Sequence, residues 1–360
     1  MQRALDLAER ARGLTSPNPM VGAVVVAAGA VVGEGFHREA GAPHAEIEAL
    51  AMAGSRARGA TLYVTLEPCN HHGRTPPCAP AVAVAGVARV VTAVADPNPV
   101  AAGGLAVLQA AGIDVITGVL AEAALRQNRI FFTAVREQRP HVTLKAAMTA
   151  DGKIGDVHGA SKWITGEPAR VESHRMRSET DAIVVGVTTV LRDDPALTVR
   201  LPQPWPREPY RVVLDSDART PPQAQVLRSG LSARAVVAVS AEAPAARVRA
   251  LEERGVTVAR CPGREGRVDV VGLLADLFAR DVRGVLVEGG GEAHAAFLDA
   301  GVVDRVALFV APLLLGGRTA PSVVDGRGRE LKEAVRLGPL AVRSVGDDLL
   351  IEADVARQTR

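Results

Sequence analysis

The most constraining feature of this chain is a set of three metal-binding side chains within its first 80 residues. His44 is followed by Cys69 and then by Cys78, and any fold must bring the three together. One nitrogen and two sulfur ligands suit a tetrahedral zinc that keeps its fourth position for water. Glu46, two residues after the histidine, is the residue type needed to move protons. These residues predict a catalytic zinc site.

The order of the residues strengthens this interpretation. His-x-Glu followed by Pro-Cys-x-x-Cys is the signature of zinc-dependent base deaminases, with the glutamate as acid and base. Here eight residues, not two, separate Cys69 from Cys78. Two alternatives remain: a structural site whose fourth ligand comes from His71 or His72, or two unrelated buried cysteines. In a catalytic site, zinc would lower the pKa of its water to about 7–9, and Glu46 would pass the proton to the departing ammonia.

The first half alternates between helical and strand patterns, which predicts an α/β domain. We expect helices at 2–13, 44–53, 79–85 and 120–137, a hairpin of 21–26 and 30–35, strands at 61–66 and 87–94, and a helix–strand pair over 103–117. Ligands at the helix N-termini would favour thiolate over thiol. Pro140 must end the preceding helix, so we expect domains at 1–140 and 141–360.

The second half repeats the alternation. We expect strands at 141–148, 181–187, 210–215, 235–240, 256–259, 282–287, 303–310 and 349–353, and helices at 167–178, 244–254, 269–280 and from 292 to 300. This pattern again predicts an α/β domain.

Four further stretches carry chemical groups, and three of them have a plain structural alternative. The run Glu288 to Glu292 places three glycines before a helix, which suits a phosphate but is often only a turn. Residues 188–195 and Arg200 concentrate hydroxyl and charged groups in an expected loop after a strand. Lys145 interrupts an apolar strand, and its alternative is an edge lysine facing solvent. Asn18, between two prolines, suits ligand contact or a simple turn.

Composition narrows the class of protein. The formal net charge is +2 with no basic block, and aromatic residues are 3% of the chain, which argues against an obligatory nucleic-acid partner. The sequence shows neither a leader pattern nor an apolar run of about 18 residues, so we expect no membrane insertion. Three cysteines, two of them assigned to metal, suit a reducing cytosol, and we expect Cys261 to be an ordinary thiol.

Seven motifs together resemble one family. They are Pro17-Asn-Pro-Met-Val-Gly22, His44-Ala-Glu46, Glu67-Pro-Cys-Asn-His-His-Gly-Arg-Thr-Pro-Pro-Cys78, Leu144-Lys-Ala-Ala-Met-Thr-Ala-Asp-Gly-Lys153, Trp163-Ile-Thr165, Asp193-Asp-Pro-Ala-Leu-Thr-Val-Arg200 and the glycine run. The chain resembles the bifunctional riboflavin-biosynthesis proteins, in which a pyrimidine deaminase is fused to a 5-amino-6-(5-phosphoribosylamino)uracil reductase. The long spacing between the cysteines is a feature of that family.

The resemblance implies a cytidine-deaminase-like α/β/α domain followed by a dihydrofolate-reductase-like α/β domain. It implies zinc on His44, Cys69 and Cys78, with Glu46 as the proton shuttle. The first substrate would be 2,5-diamino-6-ribosylamino-4(3H)-pyrimidinone 5′-phosphate, and NADPH would then reduce the ribosyl group to ribityl. We would expect a cytoplasmic homo-oligomer, a dimer or tetramer, that binds a phosphorylated pyrimidine and neither nucleic acid nor membrane.

The resemblance also assigns residues of the second half. The NADPH contacts fall on Ala147, Trp163, Thr189, Asp193, Ser216, Gly290, Gly291, Glu292, Ala293, His294, Ala295 and Ala296. The substrate contacts fall on Ser161, Arg177, Leu197, Arg200 and Glu288. Either Lys145 or Asp193 could protonate the reductase substrate.

Two other classes of protein compete with this interpretation. A nucleic-acid base deaminase with an accessory domain would need a basic, aromatic-bearing face. A zinc-stabilised binding module without turnover would need a fourth protein ligand.

Overall fold

A computed structural model describes residues 1–228 and 234–356 of the chain. It divides into two compact units, Met1–Arg139 and Pro140–Arg360. No helix in the described ranges combines the length and hydropathy needed to cross a bilayer.

In the first unit, five described strands form one mixed sheet in the order β2-β1-β3-β4-β5. The strands are β1 (Gly22–Ala27), β2 (Ala30–Phe36), β3 (Thr61–Val64), β4 (Arg89–Thr92) and β5 (Asp114–Ile116). The helices are α1 (Gln2–Glu9), α2 (Ala45–Ala53), α3 (Cys78–Ala85), α4 (Gly104–Ala110), α5 (Ala121–Gln127) and α6 (Arg129–Glu137). The hairpin and the α/β alternation agree with the sequence predictions.

Helices cover both faces of this sheet at short range. On one face, a Cβ on Gly35 of β2 would lie 2.4 Å from the Ala45 carbonyl oxygen of α2. On the other face, a Cβ on Gly22 of β1 would lie 1.9 Å from the Ala4 carbonyl oxygen of α1. Any side chain at these positions would clash with helix backbone, so glycine is required for the close approach. The result is a three-layer α/β/α unit whose core is built mainly from Ala, Val and Leu.

Two helix predictions in this unit are wrong in extent. The predicted helix 2–13 ends at Glu9 and continues as turns. The predicted helix 120–137 is two helices, because Asn128 interrupts it. The Asn128 side chain is buried and pairs with both backbone groups of Met20, donating to the carbonyl and accepting from the N–H at 2.8 Å each. That tertiary contact outweighs the helical pattern.

In the second unit, nine described strands form one sheet in the order β10-β9-β8-β7-β11-β6-β12-β14-β13. They are β6 (His141–Thr149), β7 (Ala182–Gly186), β8 (Tyr210–Leu214), β9 (Ala235–Val239), β10 (Thr257–Arg260), β11 (Gly284–Gly289), β12 (Arg305–Ala311), β13 (Ala341–Val345) and β14 (Asp348–Asp354). The helices are α7 (Glu167–Ser178), α8 (Val187–Asp193), α9 (Ala245–Glu252), α10 (Val270–Ala279) and α11 (Gly291–Asp299). Strands β6 to β12 pair in parallel, and β13 and β14 are antiparallel.

Three sequence expectations for this unit need correction. Residues 187–193 form helix α8 rather than a loop, because Val187 and Val190, three residues apart, are both buried. Strand β13 lies in a largely exposed stretch where no strand is expected from the pattern. Lys145 is not an edge lysine, since β6 lies between β11 and β12 and the residue is only 9% exposed.

Candidate active sites

The first unit brings the three predicted metal ligands into one cluster. The ligand atoms of His44, Cys69 and Cys78 all lie within 4.8 Å of one another. His44 precedes the first turn of α2 and Cys78 is the first residue of α3, so two ligands stand at helix N-termini as expected. Cys69 does not, because it lies in the loop between β3 and α3.

The donor set fits zinc in distance as well as in type. The His44 Nδ1 atom lies 3.2 Å from the Cys78 Sγ and 3.6 Å from the Cys69 Sγ. Zinc bonds of about 2.0–2.3 Å in a tetrahedron put nitrogen and sulfur ligands roughly 3.5 Å apart. The other His44 ring nitrogen, Nε2, lies 3.1 Å from the Thr75 hydroxyl, a contact that orients the ring.

The two cysteines differ in acidity. A hydrogen bond from the Cys78 thiol lowers the pKa of Cys69 to about 4. The same hydrogen bond, together with burial, raises the pKa of Cys78. The pair therefore shares one proton, which a bound metal would displace.

Glu46 lies in the first turn of α2 beside this cluster. Its side chain is buried, with the residue only 3% exposed. Burial raises the pKa of Glu46 to about 7, so a proton can be taken up or given away near neutral pH.

The expected alternative ligands lie outside the cluster. Among the described residues, the group able to hold a metal consists of His44, Cys69 and Cys78. His72 is exposed and His71 is half-buried, both in the loop between the cysteines.

Asn18 and His37 form a contact beside the cluster. The Asn18 amide lies 3.1 Å from His37 Nε2, and His37 Nδ1 lies 3.2 Å from the Pro43 carbonyl oxygen. The His37 ring meets the His44 ring edge-on, with centroids 5.2 Å apart. His37 therefore supports the ring of His44. No spacing pattern links residues 37 and 18, so the role of His37 could not be predicted from the sequence.

Glu67 fixes the loop that carries Cys69. Its carboxylate accepts backbone N–H groups from Asp96 at 3.0 Å, Gly103 at 2.9 Å and Leu105 at 3.1 Å. The residue is only 7% exposed. A buried carboxylate with three N–H donors is well satisfied, so it ties the cysteine loop firmly to the start of α4.

The second unit contains a cavity of about 570 Å³ at the carboxyl ends of its parallel strands. The carboxyl ends of β7 and β11 line it together with residues 145–147 of β6, and this is the usual place for ligands in parallel α/β sheets. Most of the residues assigned by resemblance line it. They are Ala147, Ser161, Trp163, Arg177, Thr189, Asp193, Leu197, Arg200, Glu288, Gly290, Gly291, Glu292, Ala293 and His294.

Three assigned residues do not line the cavity. Ser216 follows β8, and its carbonyl oxygen accepts the Ser240 backbone N–H at 3.1 Å. Ala295 and Ala296 lie on α11, where Ala295 is buried and Ala296 packs against the hydrophobic core.

A buried group of three charges lies at the floor of the cavity. The Arg177 guanidinium donates two hydrogen bonds to the Glu288 carboxylate, each 2.7 Å long. Although burial opposes it, Arg177 together with Lys145 lowers the pKa of Glu288 to about 2. Burial lowers the pKa of Lys145, while Glu288 acts against that fall. Lys145 is therefore a better proton donor near neutrality than an exposed lysine.

Asp193 is engaged differently. It ends α8, and its two carboxylate oxygens each lie 3.1 Å from the Ser161 hydroxyl, which donates to them. Asp193 thus connects α8 to the loop that carries Trp163, a residue that is 71% exposed and whose ring lies under the Arg170 guanidinium.

The glycine run forms the turn into α11. Gly290 has a φ of +81°, which favours glycine, and α11 starts at Gly291. Gly291 also makes room for Asp325, whose carboxylate would lie 2.2 Å from a Cβ at that position. An acidic group therefore stands at a helix N-terminus that otherwise suits a phosphate. Asp325 was missed because it is 34 residues away in sequence.

Comparisons with known proteins give a match for each half of the chain. Residues 140–351 match the model of the RibD C-terminal domain, and residues 1–94 match the cytidine and deoxycytidylate deaminase zinc-binding region. The riboflavin biosynthesis protein RibD of Aquifex aeolicus is 42% identical over 98% of this chain and 96% of its own.

Two solved structures cover nearly the whole chain. Acinetobacter baumannii RibD has a TM-score of 0.89 at 36% identity, covering 99% of this chain and 98% of its own. The Thermotoga maritima diaminohydroxyphosphoribosylaminopyrimidine deaminase/5-amino-6-(5-phosphoribosylamino)uracil reductase has a TM-score of 0.87 at 38% identity, covering 99% and 97%. The predicted order, a deaminase fold followed by a reductase fold, is confirmed. The chain belongs to the RibD family of bifunctional riboflavin-biosynthesis enzymes, which join a zinc-dependent deaminase to an NADPH-dependent reductase.

Proposed function

We propose that the unit Met1–Arg139 is the deaminase and the unit Pro140–Arg360 is the reductase. The deaminase acts on 2,5-diamino-6-ribosylamino-4(3H)-pyrimidinone 5′-phosphate and releases its ring 2-amino group as ammonia. The reductase then converts the ribosyl group of the product to ribityl. Support comes from the similarity to the Thermotoga maritima deaminase/reductase and from the two separate sites.

In the deaminase, His44, Cys69 and Cys78 hold the zinc. Zinc, when bound, supplies a Lewis acid that activates water near neutral pH. Glu46 accepts a proton from the attacking water and delivers it to the departing amine. Thr75 and His37 keep the His44 ring in its orientation.

In the reductase, Lys145 is the proton donor rather than Asp193. NADPH, when bound, supplies the two-electron reduction at C1′ of the sugar, and opening of the ribosyl ring needs a proton on the ring oxygen. The lowered pKa and buried position of Lys145 suit that donation. The Asp193 carboxylate, which accepts from Ser161, suits a holding role instead.

The remaining assigned residues bind the two ligands. The turn Gly290–Gly291 and Thr189 receive the cofactor, because backbone N–H groups at a helix N-terminus can face its phosphates. Arg200, an exposed cation at the cavity, receives the 5′-phosphate of the pyrimidine. The Arg177–Glu288 pair forms the polar floor on which the pyrimidine rests.

We also propose a cytoplasmic homo-oligomer that does not act on nucleic acid. All three cysteines are free thiols, as in a reducing compartment. The net charge of +2 without a basic block gives little attraction for phosphate backbones. Light scattering at working concentrations would give the subunit number.

The observation that carries the proposal is the metal-binding cluster with buried Glu46 beside it. Glu46→Gln should keep zinc but lower ammonia release by about 10²–10⁴-fold, because only the base is lost. Glu48→Gln, on the same helix but paired with Arg38, is the matched control and should deaminate normally. NADPH oxidation with pre-deaminated substrate should continue in both variants. Loss of both activities in a folded Glu46→Gln protein would contradict the assignment of one reaction to each unit.

A further inference from the structure

The segment Leu197 to Arg200 lies in the loop that follows α8, at the reductase cavity, and side chains from other parts of the chain hold it. The Thr198 carbonyl oxygen accepts from the Arg177 guanidinium at 3.0 Å. The Val199 N–H donates to the Glu208 carboxylate at 3.1 Å. The Arg200 N–H donates to Nδ1 of His174 at 3.2 Å. Three consecutive residues are thus fixed through their backbone groups.

His174 and Arg177, which both hydrogen-bond to this loop, belong to the same helix. They are three residues apart on α7, so their side chains lie on one face of it. Both line the cavity, as does the Arg200 side chain. His174 could not be predicted from the sequence, because its hydrogen-bond partner lies 26 residues away.

The contact requires an imidazole with a free lone pair on Nδ1. A protonated ring would present an N–H to the Arg200 N–H, and the hydrogen bond would be lost. Burial, followed by the charges of Arg177 and Arg200, lowers the pKa of His174 to about 4. The ring is therefore neutral at physiological pH and can accept.

We propose that His174 is a positioning residue of the reductase: by accepting the Arg200 N–H, it directs the Arg200 guanidinium toward the 5′-phosphate of the pyrimidine. This inference rests on the proposed role of Arg200. An exposed arginine loses side-chain freedom when it binds a phosphate, and a fixed backbone limits that loss. Without the contact, the loop end that carries Arg200 is released and binding weakens.

The test is a matched pair of substitutions. In His174→Asn, the side-chain oxygen stands the same number of bonds from Cβ as Nδ1 does, so an acceptor is retained. His174→Leu has the same branching without an acceptor. His174→Leu should raise the KM for the deaminated pyrimidine phosphate by about three- to tenfold, the net contribution of one hydrogen bond. Its kcat and its KM for NADPH should stay within about twofold, and His174→Asn should resemble wild type.

Arg200→Ala tells whether His174 acts through Arg200. If it does, His174→Leu should add nothing to the KM of Arg200→Ala. An Arg200→Ala variant with normal KM would contradict both the proposed substrate role of Arg200 and this inference. If Arg200→Ala raises the KM but the two substitutions have additive effects in the double variant, the role of His174 is overturned and that of Arg200 stands. The same conclusion follows if Arg200→Ala raises the KM and His174→Asn behaves like His174→Leu. If His174→Leu does not fold, His174→Gln decides, since its acceptor stands one bond too far and the same rise is expected.

Discussion

Replacing Glu288 with glutamine removes the single negative charge from the buried group at the reductase cavity. The Glu288 side chain is 6% exposed and that of Arg177 is 13% exposed, so water can replace the lost partner only in small part. Lys145 is buried beside them, and burial is the main cause that lowers its pKa, while Glu288 raises that pKa and Arg177 lowers it. Glutamine keeps the size of the side chain, so the substitution tests charge rather than packing.

The magnitude follows from the acidity of the carboxyl group. The fall of the Glu288 pKa from 4.5 to about 2 corresponds to about 3 kcal/mol of interaction favouring the carboxylate. Breaking a buried ion pair by removing one partner costs roughly 3–5 kcal/mol, which agrees. A depressed pKa contributes stability above the unfolded value of 4.5, and that stability is lost as the pH falls toward 2. We therefore expect a loss of about 3 kcal/mol at pH 7 that shrinks below pH 4.5.

Urea unfolding of the full chain, followed by tryptophan fluorescence, measures this loss. The chain has two tryptophans, Trp163 and Trp205, and both belong to the second unit. The signal therefore reports on the unit that contains Glu288, without removing the other unit. Glu265→Gln is the matched control, because Glu265 pairs with Arg327 at an exposed site and should change stability by less than about 1 kcal/mol.

Two results would refute the reasoning. One is a loss below about 1 kcal/mol at pH 7, since the pair would then be no stronger than a surface salt bridge. The other is a loss of full size that persists below pH 3, since it would not come from the ionised carboxylate.

Three further predictions concern the ligands. Cys78→Ser should lose zinc and deamination together, whereas His72→Ala should keep zinc in metal analysis; a zinc-poor but folded His72→Ala protein would indicate a closed, four-ligand site. Gly290→Val should raise the KM for NADPH by on the order of tenfold while deamination continues. A normal KM would mean that the glycine run is only a turn and does not bind the cofactor. Asp325→Asn should lower the KM for NADPH about two- to fivefold in steady-state kinetics, because an acid that opposes the cofactor phosphates is removed, and an unchanged KM would place the phosphates elsewhere.

Much of the fold could be predicted because the spacing of apolar residues along the chain differs between helices and strands. The predicted helix at 167–178 and the strands near 141–148 and 235–240 appear in the structure with little change. Two errors have tertiary causes. The segment 187–193 is rich in β-branched residues, yet it is helical because Val187 and Val190 bury one face. The break at Asn128 depends on Met20, which lies 108 residues away.

In the candidate sites, too, some residues could be predicted from the sequence and others depend on tertiary contacts. His44, Glu46 and the two cysteines could be predicted because zinc chemistry prescribes residue types in a recognisable order. The supporting groups could not, since His174, His37 and Asp325 act through contacts made across the fold. Family resemblance added most of the cavity residues, but it also named Ser216, which lies outside the cavity lining.

The anchoring of Glu67 has a consequence for metal exchange. Its three N–H donors come from backbone that precedes and begins α4, so the loop with Cys69 is held by the polypeptide itself. A chelator should therefore remove the zinc without unfolding the site, and the circular dichroism spectrum should be almost unchanged. Reloading would then need diffusion and loss of one shared thiol proton rather than refolding. When zinc is scarce, the deaminase unit should therefore remain folded but inactive, and it should deaminate again once zinc binds.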